Sequence, residues 1–247
     1  MLMLGKIKYN PERIPNTDLI LKEGSEANVF IDKRSGIVYK EWTVRMIPTI
    51  PNKIAKLEAM SEIKELDNHM VETNSIVEYR IRATGYIMPL KNLESPSFYD
   101  WDLSKKIPYL YNFKDTIKFF KEIGLHYTDF SPYNMYIEDN KIKLLDKDNV
   151  SFNGRKSDLY SIFLKRYIEF GGKENDKAMI YAYNFFTFLC LSKRFQYRFY
   201  LEELKQDPSL FRNILENKEV EEFIKKLLED EIDNVTDHEF LIDRFKK

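Results

Sequence analysis

Over roughly the first ninety residues, apolar positions fall in short runs rich in β-branched and aromatic side chains, bounded by turn formers. The runs "NVFID" (28–32), "GIVYKEW" (36–42), "SIVEYRIRA" (75–83) and "YIMPL" (86–90) read as strands. Arg34, Ser35 and Gly36 form a turn signal between the first two. A different period interrupts them in "KIAKLEAMSEIKELDNHM" (53–70). There Ile54, Leu57, Met60, Ile63 and Leu66 recur at helical spacing. Helical patterns then dominate beyond about residue 110, over 112–123, 157–170, 176–191 and several later stretches. The exception is a pair of strand-like pieces, "NMYIE" and "KIKLLD", flanking an Asp139-Asn140 turn. The pattern predicts an α+β chain. A small antiparallel sheet with one helix occupies residues 1–90, and a larger helical part, carrying a hairpin, occupies 91–247.

Composition narrows the class without changing that order. The 247 residues are 43% hydrophobic and 32% charged, enough for a sizeable core. Lys and Arg number 39 against 40 Asp and Glu, a formal charge of −1, with no clear nucleic-acid signature. The 16 Tyr and 18 Phe are scattered and read as core. A single cysteine, Cys190, excludes an internal disulfide framework and reads as a buried thiol. The start, "MLMLGKIKYNPERIP", has too short an apolar run for a secretory signal. The segment "AMIYAYNFFTFLCL" suits a buried helix better than a membrane span. The expectation is a soluble cytoplasmic protein with no membrane partner.

Candidate chemistry concentrates in "LHYTDFSPYNMYIEDNKIKLLDKDNV" (125–150). Asp129 is followed five positions later by Asn134, with Pro132 between them, and Asp146 ends the second strand-like piece. Acids and amides also cap turns, but this set matches a metal–nucleotide site: one carboxylate to orient a hydroxyl and take its proton, plus an amide oxygen and a second carboxylate as hard ligands for Mg²⁺.

With these residues the chain resembles the protein kinase-like superfamily, most closely its minimal, atypical RIO-type members, over about residues 21–161. The resemblance implies a bilobal kinase-like fold, with 1–90 as the nucleotide-binding lobe and 91–247 as the lobe carrying the catalytic loop. It implies Asp129 as catalytic base, Asn134 and Asp146 as metal and cofactor ligands, and ATP and Mg as cofactors. In "LKEGSEANVFID", Gly24 and Ser25 take the phosphate loop, with Lys22 and Ala27 at the other glycine positions, and Val29 packs on adenine. Lys40, ending "GIVYK", is the second catalytic residue and holds phosphate oxygens. Glu62 is nominated to orient it, with Glu58 a competitor and Glu65 third. In "GYIMPLKN", Met88 lines the adenine pocket, Pro89 offers a backbone acceptor and Lys91 a donor. Asp158 in "KSDLYSIF" resembles the anchor of the catalytic loop.

The chain departs from the family in several places. The residues before the base are Tyr127 and Thr128, with His126 one position early. Asp146-Lys147-Asp148 replaces the D-F-G motif. Only twelve positions separate Asp146 from Asp158, too few for a full activation segment. The resemblance thus implies an ATP- and Mg-dependent transferase, a serine/threonine-protein kinase by preference, not switched by loop phosphorylation. The alternatives are a small-molecule kinase of the aminoglycoside or choline type, whose acceptor site residues 174–247 could supply, and a pseudokinase binding module.

Overall fold

The computed structural model describes residues 5–8, 20–23, 26–73, 75–79, 82–91, 101, 103–131, 134–157, 176, 178–180, 182, 183 and 186, the first two segments as backbone alone. Gly24, Ser25, Pro132, Asp158, Cys190 and most of the expected C-terminal helices lie outside the described residues. The architecture is α+β. The chain divides into two compact units: one takes residues 1–94 together with 143–149 and 153–158, the other the remainder.

The first unit is built on a six-stranded sheet. Its strands are β1 (Gly5–Lys8), β2 (Ile20–Glu23), β3 (Ala27–Asp32), β4 (Ile37–Trp42), β5 (Ser75–Tyr79) and β6 (Arg82–Pro89), in the order β1-β5-β6-β4-β3-β2. All neighbours pair antiparallel except β1, which lies parallel to β5. The sheet is mostly antiparallel, as expected; the strand the sequence does not announce is β1, which carries too few apolar residues to read as one on its own. The turn expected at Arg34–Gly36 forms: the Asp32 carboxylate accepts the N–H groups of Arg34 and Ser35, each at 3.0 Å, and Gly36 takes φ 65°.

Register assigns the two faces, because directly opposed residues share a side of the sheet. One face holds Phe30, Ile37, Tyr39, Val77 and Ile87, an apolar cluster. The other carries Val29, Lys40 and Tyr86 in one cross-strand row, with Val38 opposite Met88 in the next.

The helix expected over 53–70 is shorter than its periodicity. Helix α1 spans Ile50–Ser61; Ile63 leaves helical geometry at φ −99°, ψ 89°, and a 3₁₀ turn over Lys64–Asn68 buries Leu66. The buried stripe of α1 is Lys53, Lys56, Leu57 and Met60. Two lysines occupy positions that an apolar reading assigns to Ile54 and its neighbours, because lysine can bury its stem along apolar surface when its ammonium finds partners.

In the second unit, helix α2 (Leu103–Glu122) starts nine residues before the expected 112, with Pro108 inside it. It buries Leu110, Phe113, Ile117 and Phe120 along one stripe and ends at Gly124, whose φ of 67° suits glycine past a helix end. Phe113 meets Phe130 edge-on at 5.8 Å and Tyr183 at 5.4 Å, and Tyr127 packs on Phe130 at 5.1 Å. Strand β7 (Leu125–His126) pairs antiparallel with β10 (Ser151–Phe152), the last described strand in chain order. The expected hairpin forms from β8 (Met135–Glu138) and β9 (Lys141–Leu144); Asp139 and Asn140 both take positive φ, 51° and 58°, as a two-residue primed turn requires. Among the described residues no helix is long and apolar enough to cross a membrane.

Candidate functional site

The first unit gathers a charged cluster on the Lys40 face of the sheet. Residues 143–149 join this unit through Leu144, which donates to His69 O and accepts from Val71 N–H, both at 2.9 Å. Asp146 and Asp148 follow directly. Lys40 Nζ donates to Asp146 Oδ1 at 2.8 Å and to Asp148 Oδ1 at 2.9 Å. Burial alone would push the Lys40 ammonium down, but Asp146 and then Asp148 outweigh it and hold its pKa well above the ordinary lysine value. Asp146 sits at φ 64°, a left-handed conformation that aspartate tolerates better than most residues. Its side chain remains 27% exposed.

Asp148 is wholly enclosed. Its Oδ1 accepts from Lys40 and from the Tyr86 hydroxyl (2.9 Å), and its Oδ2 from Trp42 Nε1 (2.9 Å) and Lys53 Nζ (3.1 Å). Burial would raise this carboxyl, yet Lys40 and Lys53 hold it far below the usual carboxylate range. The Tyr86 phenol is pushed well up by burial and by the Asp148 charge, so it stays a donor. Lys53 also donates to Asn149 Oδ1 at 2.6 Å. Between the two aspartates, Lys147 is directed to Asp67 at 2.7 Å. Glu26, buried directly after Ser25, comes no nearer to Lys53 than 3.8 Å, and among the described residues neither of its oxygens has a hydrogen-bond donor in reach. Burial raises its pKa, offset in part by the nearby Lys53 charge.

The second unit holds the other sequence-predicted pair. Asn134 Nδ2 donates to Asp129 Oδ2 at 2.7 Å and to Asp129 O at 3.2 Å, while Asn134 N–H donates to Ser131 O at 2.9 Å. Two acceptors on Asp129 set the orientation of the amide and leave its oxygen as the atom a hard cation would take. The flanking Tyr127 and Phe130 are fully buried among aromatic rings, so they anchor the loop by packing. His126, one position early in sequence, pairs with Asp176 at 2.8 Å.

The structure thus brings Lys40 to Asp146, and Asp129 to Asn134. Val29 and Met88 share the face of Lys40, whereas Pro89 is opposite Ile37 on the other. Lys91 lies half-buried just beyond β6. Glu62 is not brought to Lys40: it is the exposed C-terminal cap of α1, and Glu58 and Glu65 are exposed as well. The physical reason is the helical wheel, since the stripe through Lys53, Lys56, Leu57 and Met60 leaves Glu58 and Glu62 on other sides. The residues the sequence reading missed are Glu26, Trp42, Lys53 and Tyr86, with Asp148 noted only within the Asp146-Lys147-Asp148 departure. Two signals could have found Asp148 and Lys53, the Asp-x-Asp spacing and two lysines three apart on the stripe of α1; none marks Glu26, Trp42 or Tyr86.

No family model matches the chain, and no curated protein matches it. Among the described residues no three His, Cys, Asp or Glu side chains gather as a metal-holding group. The donor set read from sequence is one carboxylate and one amide oxygen. That suits Mg²⁺, which takes one or two protein oxygens and completes its shell with water and phosphate.

Proposed function

We propose that the protein is an ATP- and Mg²⁺-dependent phosphotransferase of bilobal, protein kinase-like fold, acting on a hydroxyl, with a protein serine or threonine as favoured acceptor. The observation that carries the reading is the Lys40–Asp146 pair, 106 positions apart in sequence and 2.8 Å apart in space. A phosphate-holding cation and a metal-holding carboxylate must converge on one phosphate chain, and few other activities need that pair. The Asp129–Asn134 contact supports it further.

In this reading Val29, Val38 and Met88 form an apolar bed for adenine, and Pro89 O and Lys91 N–H meet its edge. Asp146 and the Asn134 amide oxygen would hold Mg²⁺, and the bound metal–nucleotide supplies the phosphoryl group and masks its charge. Lys40 orients the phosphate oxygens. Asp129 aligns the acceptor hydroxyl and takes its proton. A nucleotide-binding module without transfer is the second reading, favoured by one observation: α1 offers Lys40 no carboxylate.

Thermal shift with ATP, with and without Mg²⁺, followed by single-turnover transfer from γ-labelled ATP to generic protein and amino-alcohol acceptors, tests both. Mg²⁺-dependent stabilisation with transfer is expected. Asp129→Asn should keep ATP affinity while transfer falls by about 10²; Asp146→Asn should lose the Mg²⁺ dependence and transfer together. Stabilisation without transfer selects the module, and no response to ATP rejects both.

A further inference from the structure

Two carboxylates two positions apart meet the same ammonium, yet their surroundings differ. The Asp146 carboxylate is partly open and, among the described residues, accepts one hydrogen bond, from Lys40. Asp148 is fully buried and accepts four, from Lys40, Tyr86, Trp42 and Lys53. A carboxylate offers about four lone-pair sites, so Asp148 has none left for a metal. Lys53 and Lys40 ammonium groups at 3.1 and 2.9 Å would also repel a second cation there. Asp146 is free to turn to a metal; Asp148 is not.

The helix following β4 contributes to the same cluster with the opposite charge from the one expected. Lys53, at full burial on α1, touches Asp148 and Asn149, while Glu58 and Glu62 face outward. We infer that Asp148, held by Trp42, Tyr86 and Lys53, is the positioning residue that fixes Lys40 in place of a helix glutamate, leaving Asp146 for the metal. Helix α1 is then coupled to Lys40 through a Lys53–Asp148–Lys40 relay. This rests on the phosphotransferase reading for its consequence, but the anchoring itself does not.

The test uses full-length protein and two readouts. One is ATP affinity with and without Mg²⁺. Asp148→Asn should lower metal-free ATP affinity by about tenfold, the scale of one hydrogen bond to a charged group, while preserving the factor by which Mg²⁺ tightens binding. Asp146→Asn should do the reverse. The other readout needs no nucleotide: the rate at which an N-hydroxysuccinimide ester modifies Lys40 at one fixed pH, normalised to exposed Lys64 and read by peptide mass. Asp148→Asn should raise that rate by about tenfold, and Glu62→Gln should leave it alone. If Asp148→Asn does not fold, Asp148→Asn with Lys53→Gln removes both members of the buried pair and carries the same readout. Lys40 modification unchanged in a folded Asp148 variant, or raised equally by Glu62→Gln, overturns the anchor. Release of Lys40 in a protein whose parent binds no ATP supports the anchor and rejects the phosphotransferase reading alone.

Discussion

A buried carboxylate flanked by two lysines is costly to assemble and more costly to break. Removing one partner of a buried pair leaves a charge without compensation, an effect of about 3–5 kcal/mol. Asp148→Asn should therefore lose stability on that scale at pH 7, measured by urea unfolding. The pH dependence has a definite sign. Folding depresses the Asp148 pKa, so its stabilisation is complete above the unfolded value of about 3.9 and is lost as pH falls through the lower folded one. The gap between parent and variant should hold from pH 7 to about 4 and close progressively below that. A gap that stays constant down to pH 2 would mean that Asp148 ionises alike in both states, contrary to four donors on one carboxylate. Asp148 is legible in sequence only as one acid of an Asp-x-Asp pair. Nothing local says which member is enclosed, because burial is decided by Trp42, Tyr86 and Lys53 from other elements.

At the level of elements, β6 passes β4 at a point where no side chain fits. A Cβ added to Gly85 would lie 2.1 Å from Lys40 O and 2.8 Å from a ring carbon of Tyr39. Gly85→Ala should then cost about 3 kcal/mol, since the clash is with backbone that cannot rotate away. A loss below about 1 kcal/mol by urea titration would show that the β4–β6 pairing is looser than its register indicates. The same strand pair carries the Lys40–Tyr86 row, so a displaced β6 should also weaken the charged cluster. For α1, Leu57 at the centre of the buried stripe should cost about 2–5 kcal/mol on truncation to alanine. Exposed Glu62→Ala should stay within about 0.5 kcal/mol. Equal losses from the two would contradict the assigned face. The strands β3, β4 and β6 and the β8–β9 hairpin are readable because their period and turn chemistry are local. The end of α1 is not, because the apolar pattern runs on through Ile63 and Leu66 while the backbone turns there.

At the scale of the molecule, the first unit is discontinuous in sequence. Residues 1–94 supply Lys40 and Lys53, but the carboxylates that neutralise them come from 143–149. A fragment ending at residue 94 should therefore fail to fold stably, as two buried ammonium groups would keep only Glu26, 3.8 Å from Lys53, as counter-charge among the described residues. Adding a peptide of residues 143–158 in trans should restore a cooperative thermal transition. A fragment that folds equally well alone would show that the segment is an accessory to the sheet.

What the sequence determined by itself is what short-range physics controls: the α+β order, the strand runs, the primed turn at Asp139-Asn140, and the pairs Asp129–Asn134 and Lys40–Asp146 as candidates. The second of these, 106 positions apart, is nominated by the resemblance to kinases; Lys40 lies inside β4 and Asp146 two positions past β9. Tertiary structure alone decided which carboxylates hold Lys40. Glu62 stands beside Ile63 and Asp148 between Lys147 and Asn149, and the resemblance to kinases nominates the helix acid. The chain instead turns Lys53 inward and closes Asp148 under Trp42 and Tyr86, because a buried ammonium needs a carboxylate nearby and the only buried face of α1 carries lysines.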